Sequence, residues 1–153
     1  MKYGACILSA VLLLQTGCSD NAIKLRFGIE AAADRLAAGS GFSEERVSYV
    51  PVAAPAKGYW LIFFPHRRVN AEELISRGMP RDAADRIFRD LGYIDVGHGP
   101  LLVVFQDGER LNFTRYDGTD RVVVRDLIVE YRVGKCEVLV RKQGETLSIE
   151  KVL

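Results

Sequence analysis

Residues 70–92 read NAEELISRGMPRDAADRIFRDLG, and the punctuation of this stretch predicts two short helices joined by a tight turn. Asn70 is a good N-cap, and Glu73 three places later completes a capping-box spacing. Leu74 and Ile75 give the first helix its apolar side, and Gly78 stops it. Pro80 suits the first turn of the second helix. There Ala83, Ala84, Ile87, Phe88 and Leu91 fall on one face, the 3.6-residue period of a helix that buries one side. Asp82 with Arg86, and Asp85 with Arg89, are acid-before-base pairs four apart that read as a solvated face. Gly92 supplies the closing left-handed stop.

An amphipathic helix pair needs a partner surface, and the flanking sequence offers strands. Residues 59–64, YWLIFF, are apolar throughout, as in a strand covered on both faces. Residues 46–52 alternate and read as another strand; 51–58, with two prolines and a glycine, join the two. After the helices comes a meander. Residues 101–106 and 109–115 flank Asp107-Gly108, and Asp117-Gly118 is a second hairpin turn. Residues 121–133 form a long strand whose alternation slips near Arg125-Asp126, which predicts a bulge or bend. Gly134-Lys135 then leads into 136–142, and Gln143-Gly144 into 146–152. Turns this short predict antiparallel neighbours. Upstream, Leu25, Ile29, Ala32 and Leu36 make one stripe of a helix over 21–38, stopped by Gly39-Ser40-Gly41; an alanine-rich, semi-ordered tether is the other reading of 21–41. The expected class is α+β: an antiparallel sheet packed against a helix pair, with an additional N-terminal helix.

Composition narrows the function. Of the chain's 153 residues, 21 are Lys or Arg and 20 are Asp or Glu. A balanced charge gives no basic footprint for nucleic acid. Residues 5–14 are an apolar run behind the single charge of Lys2, the length of a signal-peptide core and too short for a span of about 20 residues. The run ends LLLQTGC, residues 12–18, which resembles the lipobox of bacterial lipoproteins. Gly17 and Cys18 match that motif, and Gln15 stands where the family usually has an aliphatic residue. The resemblance implies cleavage between Gly17 and Cys18, a thioether-linked diacylglycerol on Cys18 and an acylated amine. Several acyl chains anchor stably where one does not. The expected organisation is therefore a signal peptide over 1–17 and a single periplasm-facing domain over 18–153, tethered through Cys18. Ser19, rather than aspartate, follows Cys18, which by the same resemblance implies sorting to the outer membrane. Cys6 leaves with the signal and Cys18 carries lipid, so Cys136 is left without a disulfide partner and reads as a small buried strand residue.

A second resemblance lies in LISRGMPRDAADRIFRDLG, residues 74–92, which is similar to the helix-turn-helix signature of the SmpA/OmlA outer-membrane lipoproteins. Gly78 and Met79 match the "GM" that opens that family's second helix, and Leu91 and Gly92 the "LG" that closes it. Here the second helix is about one turn longer, the family's following proline is missing, and two strands precede the helices. The resemblance implies an accessory role in assembling outer-membrane β-barrels and carries no catalytic residues.

Catalytic candidates are sparse. His66, in PHRR, and His98, in GHGP, share no metal-ligand spacing and read as surface or capping residues. Gly39-Ser40-Gly41 follows no strand and is not a nucleophile elbow. The DGTD of 117–120 is ordinary turn chemistry before it is a nucleophile or metal site. Arg67-Arg68, with Lys57 and Trp60 nearby in sequence, could face lipid headgroups or an acidic partner, but reads first as a solvated strand end. No cofactor or metal is expected. The leading expectation is a non-enzymatic envelope lipoprotein with envelope proteins as partners, marked by an exposed aromatic patch. The alternative is a periplasmic hydrolase or small-ligand-binding lipoprotein with a cleft joining His98 and Asp95.

Overall fold

The computed structural model describes residues 21–39, 43–51, 58–91, 101–106, 112–115 and 122–153. Along the chain run α1 (Asn21–Ala38), β1 (Glu44–Tyr49), β2 (Gly58–Phe64), α2 (Ala71–Ser76), α3 (Arg81–Leu91), β3 (Leu101–Phe105), β4 (Asn112–Arg115), β5 (Val122–Val124), β6 (Ile128–Val133), β7 (Cys136–Gln143) and β8 (Thr146–Val152). The chain is α+β, with a helix pair packed on an antiparallel sheet and an additional N-terminal helix.

That sheet has the order β4-β3-β2-β6, all antiparallel. Its central strand β2 is covered on both faces, as its unbroken apolar run requires. On one face Ile62 and Phe64 meet Leu74, Met79, Ala84, Ile87 and Leu91 of the helix-pair segment, together with Val103 and Phe105 of β3. On the other face Tyr59, Leu61 and Phe63 meet α1 and a second sheet. The second sheet, β1-β7-β8-β5, was not legible in the spacing of the meander. The chain kinks between β5 and β6, at the Arg125-Asp126 phase slip, and changes sheet there. The turn at Gly134-Lys135 changes sheet again, so β6 and β7 are consecutive without pairing. These two passages act as a crossover, and β5 lies parallel to β8, Val122 opposite Leu147 and Val124 opposite Ile149. The expected antiparallel hairpins form at β3–β4 and β7–β8 but not at β4–β5 or β6–β7, whose members lie in different sheets. β5 and β8 can lie parallel because the excursion through β6 and β7 supplies the length that parallel pairing needs.

The tether reading of 21–41 is replaced by a core helix. Leu25, Ile29, Ala32 and Leu36 are all buried, and α1 packs on β1, β3, β4 and β7. Its approach to β1 is close: a Cβ added to Gly28 would sit 2.9 Å from a Val47 methyl. Tyr49 of β1 meets Tyr59 of β2 edge to face at 5.8 Å, joining the two sheets across the core.

The helix-pair turn follows its sequence cues closely. Asn70 Oδ1 accepts from the Glu73 N–H at 3.0 Å, and the Glu73 carboxylate accepts from the Asn70 N–H at 3.4 Å. At the other end Gly78, with φ +96°, donates to Ile75, and Met79 donates to Leu74. This is a complete Schellman stop, and its partners Leu74 and Met79 are both buried in the same cluster. Pro80 stands one place before α3, where its carbonyl accepts from Ala84. Asn70→Ala should therefore lower stability by about 1 kcal/mol, with Asn70→Asp close to wild type. Urea titration reads both; an unchanged midpoint for the alanine variant would show that the capping box contributes nothing.

The apolar face of α3 meets the sheet as expected, but its details differ. Ala84, Ile87 and Leu91 are buried, while Phe88 is half-buried against Phe64, ring centroids 6.3 Å apart. Of Leu102, Val104 and Phe105, the strand residues expected beside this face, Phe105 lies on the helix side together with Val103, while Leu102 and Val104 lie on the opposite face. Strand alternation groups these residues correctly in pairs without saying which pair faces which layer.

Candidate functional site

The helix pair covers only part of its face of the sheet. Register places Gly58 opposite Val133, Trp60 opposite Tyr131 and Ile62 opposite Val129. All six lie on the helix-pair face, because residues directly opposite in a ladder share a face. Ile62 and Val129 pack in the helix-pair cluster and Trp60 packs against its margin, where the sheet runs out from under the helices. There Trp60 is half-buried, Tyr131 is 53% exposed and Val133 61% exposed. The Trp60 and Tyr131 rings lie 5.0 Å apart, tilted by 53°. Gly58 makes the arrangement possible: a Cβ there would fall 1.7 Å from the Tyr131 hydroxyl oxygen, so the ring rests where a side chain would be. Pro80, Asp82 and Ala83 at the start of α3 complete a groove of about 360 Å³ with the two aromatics. One wall is aromatic, the other is a helix start carrying a carboxylate.

The edge beside this patch is also open. Among the described residues β6 pairs only with β2 and is the outermost strand of its sheet. Its exposed aromatic and aliphatic side chains stand next to unpaired backbone groups, which is the usual invitation for another strand.

The remaining sequence candidates do not assemble into a reactive centre. His66 is exposed on the loop after β2. His98, Asp95, Ser40, Lys57 and the 117–120 turn lie outside the described residues, as do Gly17 and Cys18. Arg67 is engaged by Glu73 at 2.8 Å, and Arg77 binds Asp126 at 3.1 Å. The Arg77 bond holds the Asp126 carboxyl below its ordinary range, helped by the Leu127 N–H. With its partners in place Arg67 is no bare cation, and Trp60 belongs to the other end of β2. The pairing of Arg67-Arg68 with Trp60 in sequence is thus undone by strand geometry.

Cys136 is buried, in hydrogen-bonding contact with the Tyr59 hydroxyl. Burial pushes its thiol up, against a smaller opposite pull from that contact. Tyr59 donates to the Gly134 carbonyl at 3.0 Å, and burial pushes its own ionisation up as well. Neither group is poised as a nucleophile or base. A larger cavity of about 760 Å³ lies between the end of α1 and β1. Its charges are compensated within the chain, Arg35 by Glu45, Arg46 by Glu137 and Glu44 by Arg141. Among the described residues no three His, Cys, Asp or Glu side chains come together as a metal site, and no helix is long and apolar enough to cross a membrane.

Sequence reading missed the aromatic patch because Trp60 and Tyr131 meet only through strand register. The available signal was Gly58 opening a strand of large residues, a usual mark of close approach. No protein family, curated protein or solved structure matches the chain.

Proposed function

We propose that this chain is a membrane-anchored envelope lipoprotein with a non-enzymatic, protein-binding or assembly-support role. In this reading the signal over 1–17 is removed between Gly17 and Cys18, and Cys18 carries the lipid. The domain then faces the periplasm, and Ser19 directs it to the outer membrane. The observation that carries the binding role is the Trp60–Tyr131–Val133 patch beside the open edge of β6. Exposed aromatic surface next to an unpaired strand is suited to holding another polypeptide. The short passage from Cys18 to α1 at Asn21 keeps the domain near the bilayer. The similarity of residues 74–92 to the SmpA/OmlA signature points to the same kind of role, in assembly rather than in chemistry.

Anchoring is tested by Cys18→Ser. The variant should lose labelled fatty acid and leave the membrane fraction, or accumulate with its signal uncleaved. Each acyl CH₂ contributes about 0.8 kcal/mol to membrane binding, so the loss of several chains is expected to be close to complete. Wild-type chain without incorporated fatty acid would refute the anchor. Recovery of wild type solely with inner-membrane fractions on a density gradient would refute the sorting.

A further inference from the structure

The open edge of β6 carries its own complement. Residues 129–133 read VEYRV. About Tyr131 the apolar residues stand at two places either side, and opposite charges at one place either side. An antiparallel strand pair centred on Tyr131 sets Glu130 opposite Arg132 of the second strand, and Arg132 opposite its Glu130. It sets Val129 against Val133 twice, with the two tyrosines on the axis. Opposite charges directly across a ladder favour pairing, and like charges oppose it.

We propose that the occupant of this edge is a second copy of the chain, paired β6 to β6 about a two-fold axis through Tyr131. The proposal rests on the protein-binding reading above and names its partner. An isologous contact of this kind closes on itself as a dimer rather than growing a fibre. It joins the two four-stranded sheets β4-β3-β2-β6 into one continuous eight-stranded sheet. On the charged face Glu130 and Arg132 of one chain lie 3.6 Å apart, both partly accessible, and Arg132 also donates to the Val152 carbonyl at 3.1 Å, which holds its guanidinium in place. Bringing up the second copy completes a square of alternating sign. On the other face Tyr131 and Val133, over half exposed in the single chain, gain apolar neighbours.

The other edges lack this symmetry. β1, EERVSY, centred on Arg46 opposes arginine to arginine; centred on Val47 it sets Arg46 against Ser48. β5 is three residues long, and β4, NFTR, contains no acidic residue in its sequence.

The test is cysteine cross-linking of the full chain in its own membrane. Cα atoms paired directly across strands lie about 4.5–5.5 Å apart, within disulfide reach. Tyr131→Cys should therefore form a disulfide-linked dimer. Val133→Cys should not, because its two copies would lie about 14 Å apart along the ladder. Adding Glu130→Arg or Arg132→Glu to Tyr131→Cys should each cut the dimer at least tenfold, by opposing like charges. Co-expressing those two chains should restore it, since each then meets the opposite sign. A thermal melt of each variant shows that it folds. Equal cross-linking at 131 and 133, or no rescue on co-expression, overturns the register and the proposal. A disulfide from position 131 to some other envelope protein overturns the second copy as occupant and leaves the binding reading standing. No adduct of any kind overturns both.

Discussion

Phe64→Ala is expected to destabilise the domain by about 3–5 kcal/mol, the loss of a buried aromatic together with the cavity it leaves. Phe64 is fully buried at the end of β2 and meets Phe88 edge to face. It belongs to the cluster that holds α2 and α3 to the sheet, with Leu74 and Ile87 beside it. A domain has only about 5–15 kcal/mol in hand, so this is a large share. The melting temperature should fall by on the order of 10 °C or more. Phe88→Ala removes the partner ring from a half-buried position, and about half the loss is expected there. Asp85 is exposed on the far side of α3, and Asp85→Ala should stay within about 0.5 kcal/mol of wild type. Thermal melts and urea titrations of the three variants read the gradient. Equal losses at Phe64 and Phe88, or a Phe64→Ala loss below about 1 kcal/mol, would mean that the helix pair does not pack as described.

That gradient also marks how far the sequence reaches. The helix pair was legible because its cues are local: Asn70 with Glu73, Gly78 with Pro80, and a 3.6-residue face. The double coverage of β2 was legible because nothing polar interrupts it. The identity of its two covers was not. Alternation in LLVVF separates Leu102 and Val104 from Val103 and Phe105, but the side that meets the helices is fixed by distant chain. The phase slip at Arg125-Asp126 announced a bend. Its consequence, a change of sheet and a parallel β5–β8 pair, depends on where β8 lies. The candidate site fared worst for the same reason. Trp60 and Tyr131 are brought together by register alone, whereas in sequence Trp60 stands near Arg67 and Arg68, which it does not join. The expectation at Cys18 rests on a contiguous motif and draws on no fold, and Cys18 lies outside the described residues.

Cys136 offers a measurement that bears on the core and the anchor together. Its thiol is 2% exposed and pushed up by burial, so both access and thiolate fraction are low in the folded chain. Alkylation then waits on opening of the structure. With an opening free energy of about 5 kcal/mol, the reaction should run about a thousandfold or more slower in native buffer than in denaturant. The pH dependence has a definite sign. A thiol whose ionisation is raised by folding contributes stability in full below its unfolded value of about 8.5, and loses it as pH climbs toward the folded value. Tyr59, shifted the same way, adds to the loss above about pH 10. The urea midpoint should therefore hold through neutral pH and fall steadily above about pH 8.5. Denaturant also exposes every thiol for counting. If Cys6 has left with the signal and the Cys18 sulfur is a thioether, the mature chain yields one reactive thiol, Cys136. Three thiols would show an unprocessed chain, and two a chain either cleaved without lipid or lipidated without cleavage, which its intact mass separates; three thiols, or cleavage without lipid, remove the anchor. Native alkylation at the speed of a free thiol would instead remove Cys136 from the core, and with it the packing of β7 against Tyr59.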